Sequence, residues 1–162
     1  MPTVYLFISI AICMLCLSSL MLLYRRMHPL ILLHGYFVGT ILMQQSFAVL
    51  SLNLHYVKPV LGLQAFWAFK LPGLFVQPIL LLWGLKPLFS RKHGAGAKLC
   101  LILIPLLLMT AVDAGMKFTG FVAVMHWNAF FSALRYALIL LADWAYLKLL
   151  QRLMRAEEVS GL

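Results

Sequence analysis

Apolar residues run along this chain in stretches far longer than a soluble strand or helix leaves unbroken, and polar residues gather between them. The first stretch, Val4 to Tyr24, closes on Arg25-Arg26-Met27-His28-Pro29, and the second runs from Leu30 to about Leu52. A mixed stretch follows, Asn53 to Lys70, holding Lys58-Pro59 and the aromatic cluster Phe66-Trp67-Ala68-Phe69. The third stretch is Leu71 to Phe89. After the loop Ser90-Arg91-Lys92-His93-Gly94-Ala95-Gly96-Ala97-Lys98 come the fourth, Leu99 to Met116, and the fifth, near Val122 to near Leu147. A helix rising about 1.5 Å per residue crosses the hydrocarbon in roughly 17–25 apolar residues. The pattern therefore predicts an all-α integral membrane protein: a single domain of five transmembrane helices, approximately 4–24, 30–52, 71–89, 99–116 and 122–147, with a tail over 148–162. The aromatic residues of 53–70 suit the headgroup boundary, so that stretch reads as a loop, an interfacial helix or a re-entrant segment.

Composition agrees. Of 162 residues 64% are hydrophobic and 10% charged, whereas a soluble domain carries about a quarter charged residues. The start, Met1-Pro2-Thr3-Val4, has no positive charge and no small-x-small cleavage site follows, so the first stretch reads as a retained helix and not a signal peptide.

The formal charge of +9 sets orientation. With the N-terminus outside, the inner segments hold Arg25, Arg26, Lys86, Arg91, Lys92, Lys98, Lys148, Arg152 and Arg155, and the outer ones hold Lys58, Lys70 and Lys117. Basic residues favour the cytoplasmic side, so the N-terminus is expected outside and the C-terminus in the cytoplasm of a plasma membrane, with anionic lipids as partners of the inner face. Nucleic acid is not an expected partner.

Two ionisable residues stand out within apolar stretches, Asp113 and Arg135. Such groups are expensive in hydrocarbon and face protein or water. In the predicted fifth helix Arg135 lies near mid-membrane, on a face shared with Asn128, Ser132, Ala142, Asp143 and Tyr146. Asp113 lies about a turn below the outer end of the fourth, with Thr110 one turn deeper and Lys117 placed to pair along the same face. The expectation is that Asp113 and Arg135 meet across the last helical hairpin, Arg135 reaching outward along its stem. This pair is either structural or part of a translocation site or proton relay.

The second helix carries Gly35-x-x-x-Gly39, which permits close backbone approach. Ser46 and Asn53 continue that stripe, and Gln44 and Gln45 need hydrogen-bond partners. Helix packing explains these residues as well as a substrate site does. Pro78 and Pro105 are expected to kink the third and fourth helices, and each carbonyl they free needs another partner. Cys13, Cys16 and Cys100 sit in apolar stretches as small hydrophobes. His28, His34, His55, His93 and His126 fall mostly near helix ends without metal-ligand spacing. No cofactor, metal or catalytic residue is assigned, and nucleotide-binding and hydrolase motifs are absent.

Asp113-Ala114-Gly115-Met116-Lys117-Phe118-Thr119-Gly120, followed by His126-Trp127-Asn128 and Ser132, resembles the C-terminal hairpin of a family of small multi-pass membrane proteins of endospore-forming Gram-positive bacteria that has no known activity. Pro78 and Pro87 also fall where those proteins carry prolines. The resemblance covers Pro78 to Ser132, about a third of the chain, and members more often have Glu at the position of Asp113. It implies a bacterial plasma membrane and supplies no catalytic residue.

Three functions fit these features. Tiny loops and packing-type stripes favour an accessory or assembly subunit that acts through helix–helix contacts with a membrane-protein partner or a second copy. The alternative is a small oligomeric transporter or channel using Arg135 and Asp113. The third is an intramembrane lipid-modifying enzyme, for which no acid–base or metal constellation can be assembled.

Overall fold

The computed structural model describes residues 2–59, 62–89, 94–120, 122–124 and 128–160, and of residues 2, 57–59, 122–124 and 155–160 the backbone alone. Five helical spans, Thr3–Tyr24, Pro29–Asn53, Leu63–Phe89, Ala95–Phe118 and Ala129–Met154, are long and apolar enough to cross a membrane. The chain has the architecture of a multi-pass membrane protein. In chain order its elements are α1 (Pro2–Tyr24), α2 (Pro29–Ala48) prolonged by a π-helical turn (Val49–Asn53), β1 (Val57–Pro59), α3 (Leu63–Leu71), a second π-helical turn (Pro72–Val76), α4 (Gln77–Phe89), α5 (Ala95–Phe118), β2 (Val122–Val124) and α6 (Ala129–Ser160).

Three boundaries differ clearly from the sequence expectation, one of them at the end of the last helix, which runs on to Ser160 through most of the stretch expected as a tail over 148–162. The third span opens at Leu63, not Leu71, because the aromatic cluster of the mixed stretch is helical and runs through the π turn into α4. Residues 122–124, expected to open the last helix, instead form β2, which pairs antiparallel with β1, Val57 opposite Val124 and Pro59 opposite Val122. Val-Ala-Val is apolar enough to extend a hydrophobic run, but β-branched residues favour extended backbone where a neighbouring strand is available. The last helix starts at Ala129 after an N-cap at Asn128, whose Oδ1 accepts from the Phe131 N–H at 3.0 Å and satisfies one of the donors that a helix start leaves open.

The third span is the middle of the bundle. Gln77, Pro78, Ile79, Leu81, Leu82, Gly84, Leu85 and Pro87 of α4 are all buried, with α5 and α2 packed against them and α1 against α3 and the π turn. The core joins Leu81, Leu82 and Leu85 to Ile31 and Met43 of α2, Met109 of α5 and Tyr136, Ile139, Leu140 and Leu147 of α6. Phe7, Met14, Leu15 and Met21 of α1 and Ile104 and Leu107 of α5 point outward, which is the peripheral, lipid-facing pattern of a membrane bundle. Gly35 and Gly39 are contact points inside this bundle. A Cβ on Gly35 would stand 2.9 Å from Leu82 Cδ2, and one on Gly39 would stand 2.6 Å from Leu81 Cδ2 and 3.3 Å from Asp143 Oδ2.

Prolines in the third span explain three polar side chains on its neighbours. Pro72 and Pro78 have no N–H, so the carbonyls one turn back, Ala68 and Leu74, lose their usual donors; in π geometry Pro78 also withholds one from Gly73. Each of these carbonyls receives a side chain from another helix. Ser9 Oγ donates to Ala68 O at 3.0 Å, Tyr36 Oη to Leu74 O at 3.0 Å and Gln44 Nε2 to Gly73 O at 3.2 Å. An apolar surrounding makes an unmet carbonyl expensive, so these bonds tie α1 and α2 to the third span around its π turn. Tyr36→Phe is expected to destabilise the protein by about 1 kcal/mol in the wild-type chain. In a Pro78→Ala background, where an amide is restored, that loss should largely vanish. Unfolding midpoints of the four proteins in mild detergent read the coupling, and equal losses in both backgrounds would separate Tyr36 from the proline.

Candidate functional site

Lys70, Asp113 and Arg135, from three different spans, lie near one end of the bundle. Counted along their helices at about 1.5 Å per residue, Lys70 lies roughly 10 Å in from Leu63, Asp113 roughly 8 Å in from Phe118 and Arg135 roughly 9 Å in from Ala129. All three spans begin or end on the side of the β1–β2 pair, so the three groups share one layer. Arg135 is thus not near mid-membrane as the sequence suggested, because its helix starts seven residues later than Val122. It stands level with Asp113 and has no need to reach outward.

Around Asp113 a compact polar network closes. Arg135 Nη2 lies 3.2 Å from Asp113 Oδ2. Tyr136 Oη donates to Asp113 Oδ1 at 2.7 Å, and Gln77 Nε2 donates both to that oxygen, at 3.0 Å, and to Tyr136 Oη, at 2.7 Å. One carboxylate on α5 thereby receives an amide from α4 and a phenol and a guanidinium from α6. Hydrogen bonds to a charged acceptor are stronger than neutral ones, and this set locks α4, α5 and α6 together. The Arg135 guanidinium also lies over the Tyr136 ring, 4.4 Å from its centroid, a cation–π contact. Tyr136 is fully buried and Gln77 is 6% exposed. Arg135 Nε is buried and has no hydrogen-bond partner among the described residues.

The network forms a wall of a cavity of about 350 Å³, within the roughly 300–1,000 Å³ range of small-molecule sites. Asp113, Arg135, Gln77 and Ser132 line it, together with Lys70, Lys117, Gln44, Thr110 and Asn128, and the π turn contributes Gly73. Met43, Phe47, Phe69, Met116 and Phe118 make the apolar side. Lys70 Nζ donates to Gln44 Oε1, so the amide that caps Gly73 also holds a lysine at the cavity wall.

The other residues singled out in the sequence are distributed as follows. Lys117 is exposed and lines the cavity, while the carboxylate of Asp113 is taken by Arg135, Tyr136 and Gln77. Ser46 Oγ turns back to its own helix, to Met43 O at 2.9 Å, and Gln45 lies on the exposed side of α2. Asn128 caps α6, and Ser132, 2% exposed, is buried beside Arg135. Cys13, Cys16 and Cys100 are free thiols. His93, His126 and Trp127, like Arg91 and Lys92, lie outside the described residues. Among the described residues no three His, Cys, Asp or Glu side chains come together in a metal-binding group.

Four functional candidates escape the sequence reading. Gln77 and Tyr136 complete the Asp113 network, and Lys70 belongs to a span where the sequence left a loop, an interfacial helix or a re-entrant segment open. An amide beside Pro78 in an apolar run was the available signal for Gln77, since it must find a partner in hydrocarbon. The fourth is Asp143, visible only as one member of a polar stripe. It is fully buried, about 21 Å along its helix from Ala129, and neither carboxyl oxygen has a hydrogen-bond partner among the described residues. Asp143 is therefore the ionisable residue that lies at mid-span.

Comparison with protein-family models, with curated proteins and with solved structures found no match.

Proposed function

We propose that this protein is a small carrier of the bacterial plasma membrane, N-terminus outside and C-terminus in the cytoplasm, that takes a small solute into the cavity between α2, α3, α5 and α6. The observation that carries this proposal is the cavity itself, walled by the Asp113–Arg135 pair and by the π-helical turn of the third span. π turns inside helices are frequent at functional sites. This one, opened by Pro72 and followed by Pro78, fits that pattern, because Gly73 of the turn and Gln77 just after it line the space. The count of basic residues supports an outer position for the cavity end. The Gly35–Gly39 stripe, which made an accessory subunit attractive, faces Leu82, Leu147, Leu81 and Asp143 within the same chain and so offers no surface to a partner.

The test is purification in a mild, lipid-retaining detergent followed by native mass spectrometry. A small molecule bound at one per chain, carried across liposomes by the wild type and not by a folded Arg135→Lys variant, is the expected result. A distinct protein held at fixed stoichiometry, with no small molecule bound, would overturn the carrier in favour of the accessory subunit.

A further inference from the structure

The chemistry of the cavity wall specifies its occupant more closely. Three cationic side chains line it, Lys70, Lys117 and Arg135, against one acid, Asp113. That acid is already engaged by Arg135, Tyr136 and Gln77. Lysines on the outer side of a plasma membrane run against the general distribution of basic residues, yet two of the three outer lysines, Lys70 and Lys117, converge on this space. An excess of positive charge at a cavity wall, an arginine among it, is a receptor for an oxyanion, carboxylate or phosphate.

The rest of the wall is of the opposite kind. Met43, Phe47, Phe69, Met116 and Phe118 are apolar and adaptable, and methionine and aromatic surfaces accept flexible hydrocarbon. The volume of about 350 Å³ equals about a dozen water volumes. That is room for a headgroup and one chain of medium length, and too little for a lipid with two tails.

We infer that the cavity binds a single-tailed anionic amphiphile, its oxyanion at Arg135 and Lys117 with Lys70 beside them and its chain against Met43, Phe47 and Phe69. The inference rests on the carrier reading of the same cavity and adds the ligand class.

The test uses the full chain in nanodiscs of zwitterionic phosphatidylcholine, with decanoate as the probe and decanol and decyltrimethylammonium as controls of the same chain length. Decanoate is expected to bind at one per chain, at least tenfold tighter than either control. Lys117→Gln should lower decanoate affinity about tenfold and leave decanol unchanged; Lys117 is exposed, and an unchanged melting temperature verifies the fold. Equal affinity for decanoate and decanol would overturn the anionic ligand while leaving the cavity a binding site. Displacement of decanoate by an equal mole ratio of phosphatidylglycerol would overturn the single-tailed ligand, placing the oxyanion on a membrane lipid. Failure of all three probes, with a different solute retained in native mass spectrometry, would overturn this inference alone. Failure of all three with no retained solute would overturn the carrier as well.

Discussion

Asp113→Ala is expected to destabilise the protein by about 3 kcal/mol, at the high end of what single substitutions cost. The carboxylate accepts from Arg135, Tyr136 and Gln77 at once, and the group has limited access to water: Asp113 is 23% exposed, Arg135 12% and Tyr136 fully buried. Removing the acceptor leaves a buried guanidinium unpaired and two neutral donors without their oxygen, and it is the orphaned partner, more than the lost attraction, that makes breaking a buried pair expensive. The physical account makes a second demand. Replacing both charges with apolar groups, Asp113→Leu with Arg135→Met, should recover most of the loss, because no uncompensated charge remains. Reversible unfolding in mixed micelles, followed by tryptophan fluorescence, measures both. A wild-type midpoint for Asp113→Ala, or a double variant weaker than the sum of the two single ones, would show that the ion pair does not hold α5 to α6.

The sequence makes Asp113 and Arg135 conspicuous for the same reason that it makes the spans conspicuous: an ionisable group inside an apolar run is costly and needs an explanation. It does not reveal who else is present. Gln77 stands 36 residues from Asp113 and 59 from Tyr136, and no local periodicity connects side chains brought together by the packing of three helices. Depth is lost in a similar way. Taking Val122 as a helix start pushes Arg135 inward by about two turns, because hydrophobicity does not distinguish an apolar strand from an apolar helix end. The pairing of β1 with β2 decides it, through partners more than sixty residues away. The polar residues of α1 and α2 suffer from the same gap. Ser9, Tyr36 and Gln44 look like isolated curiosities until the carbonyls freed by Pro72 and Pro78 are placed opposite them; the prolines announce that donors are required but not which helix supplies them.

Asp143→Leu is expected to stabilise the protein by about 1–3 kcal/mol, against the ordinary direction of core substitutions. Leucine has the same branching as aspartate with bulkier methyl groups in place of the two oxygens, so it meets the same neighbours with somewhat more volume. Both oxygens of Asp143 are buried at mid-span without a partner among the described residues, and a polar group removed from water with no hydrogen bond in return is a net loss. Gly39 brings the backbone of α2 close to Asp143 Oδ2, with Leu81 Cδ2 against the same face of the glycine, and the stacked rings of His34 and Tyr146 lie one turn away with centroids 6.5 Å apart. Asp143→Asn should gain little, since an amide in that place still has donors and an acceptor to satisfy. The order expected in a detergent melt is therefore leucine above wild type, with asparagine near wild type. Transport then separates two meanings of the position. If the leucine variant is more stable and moves solute at the wild-type rate, the carboxyl is a tolerated defect of packing. If it is more stable and inactive, the chain retains an unfavourable acid at mid-span because the transport cycle uses it, and stability is given up there for function.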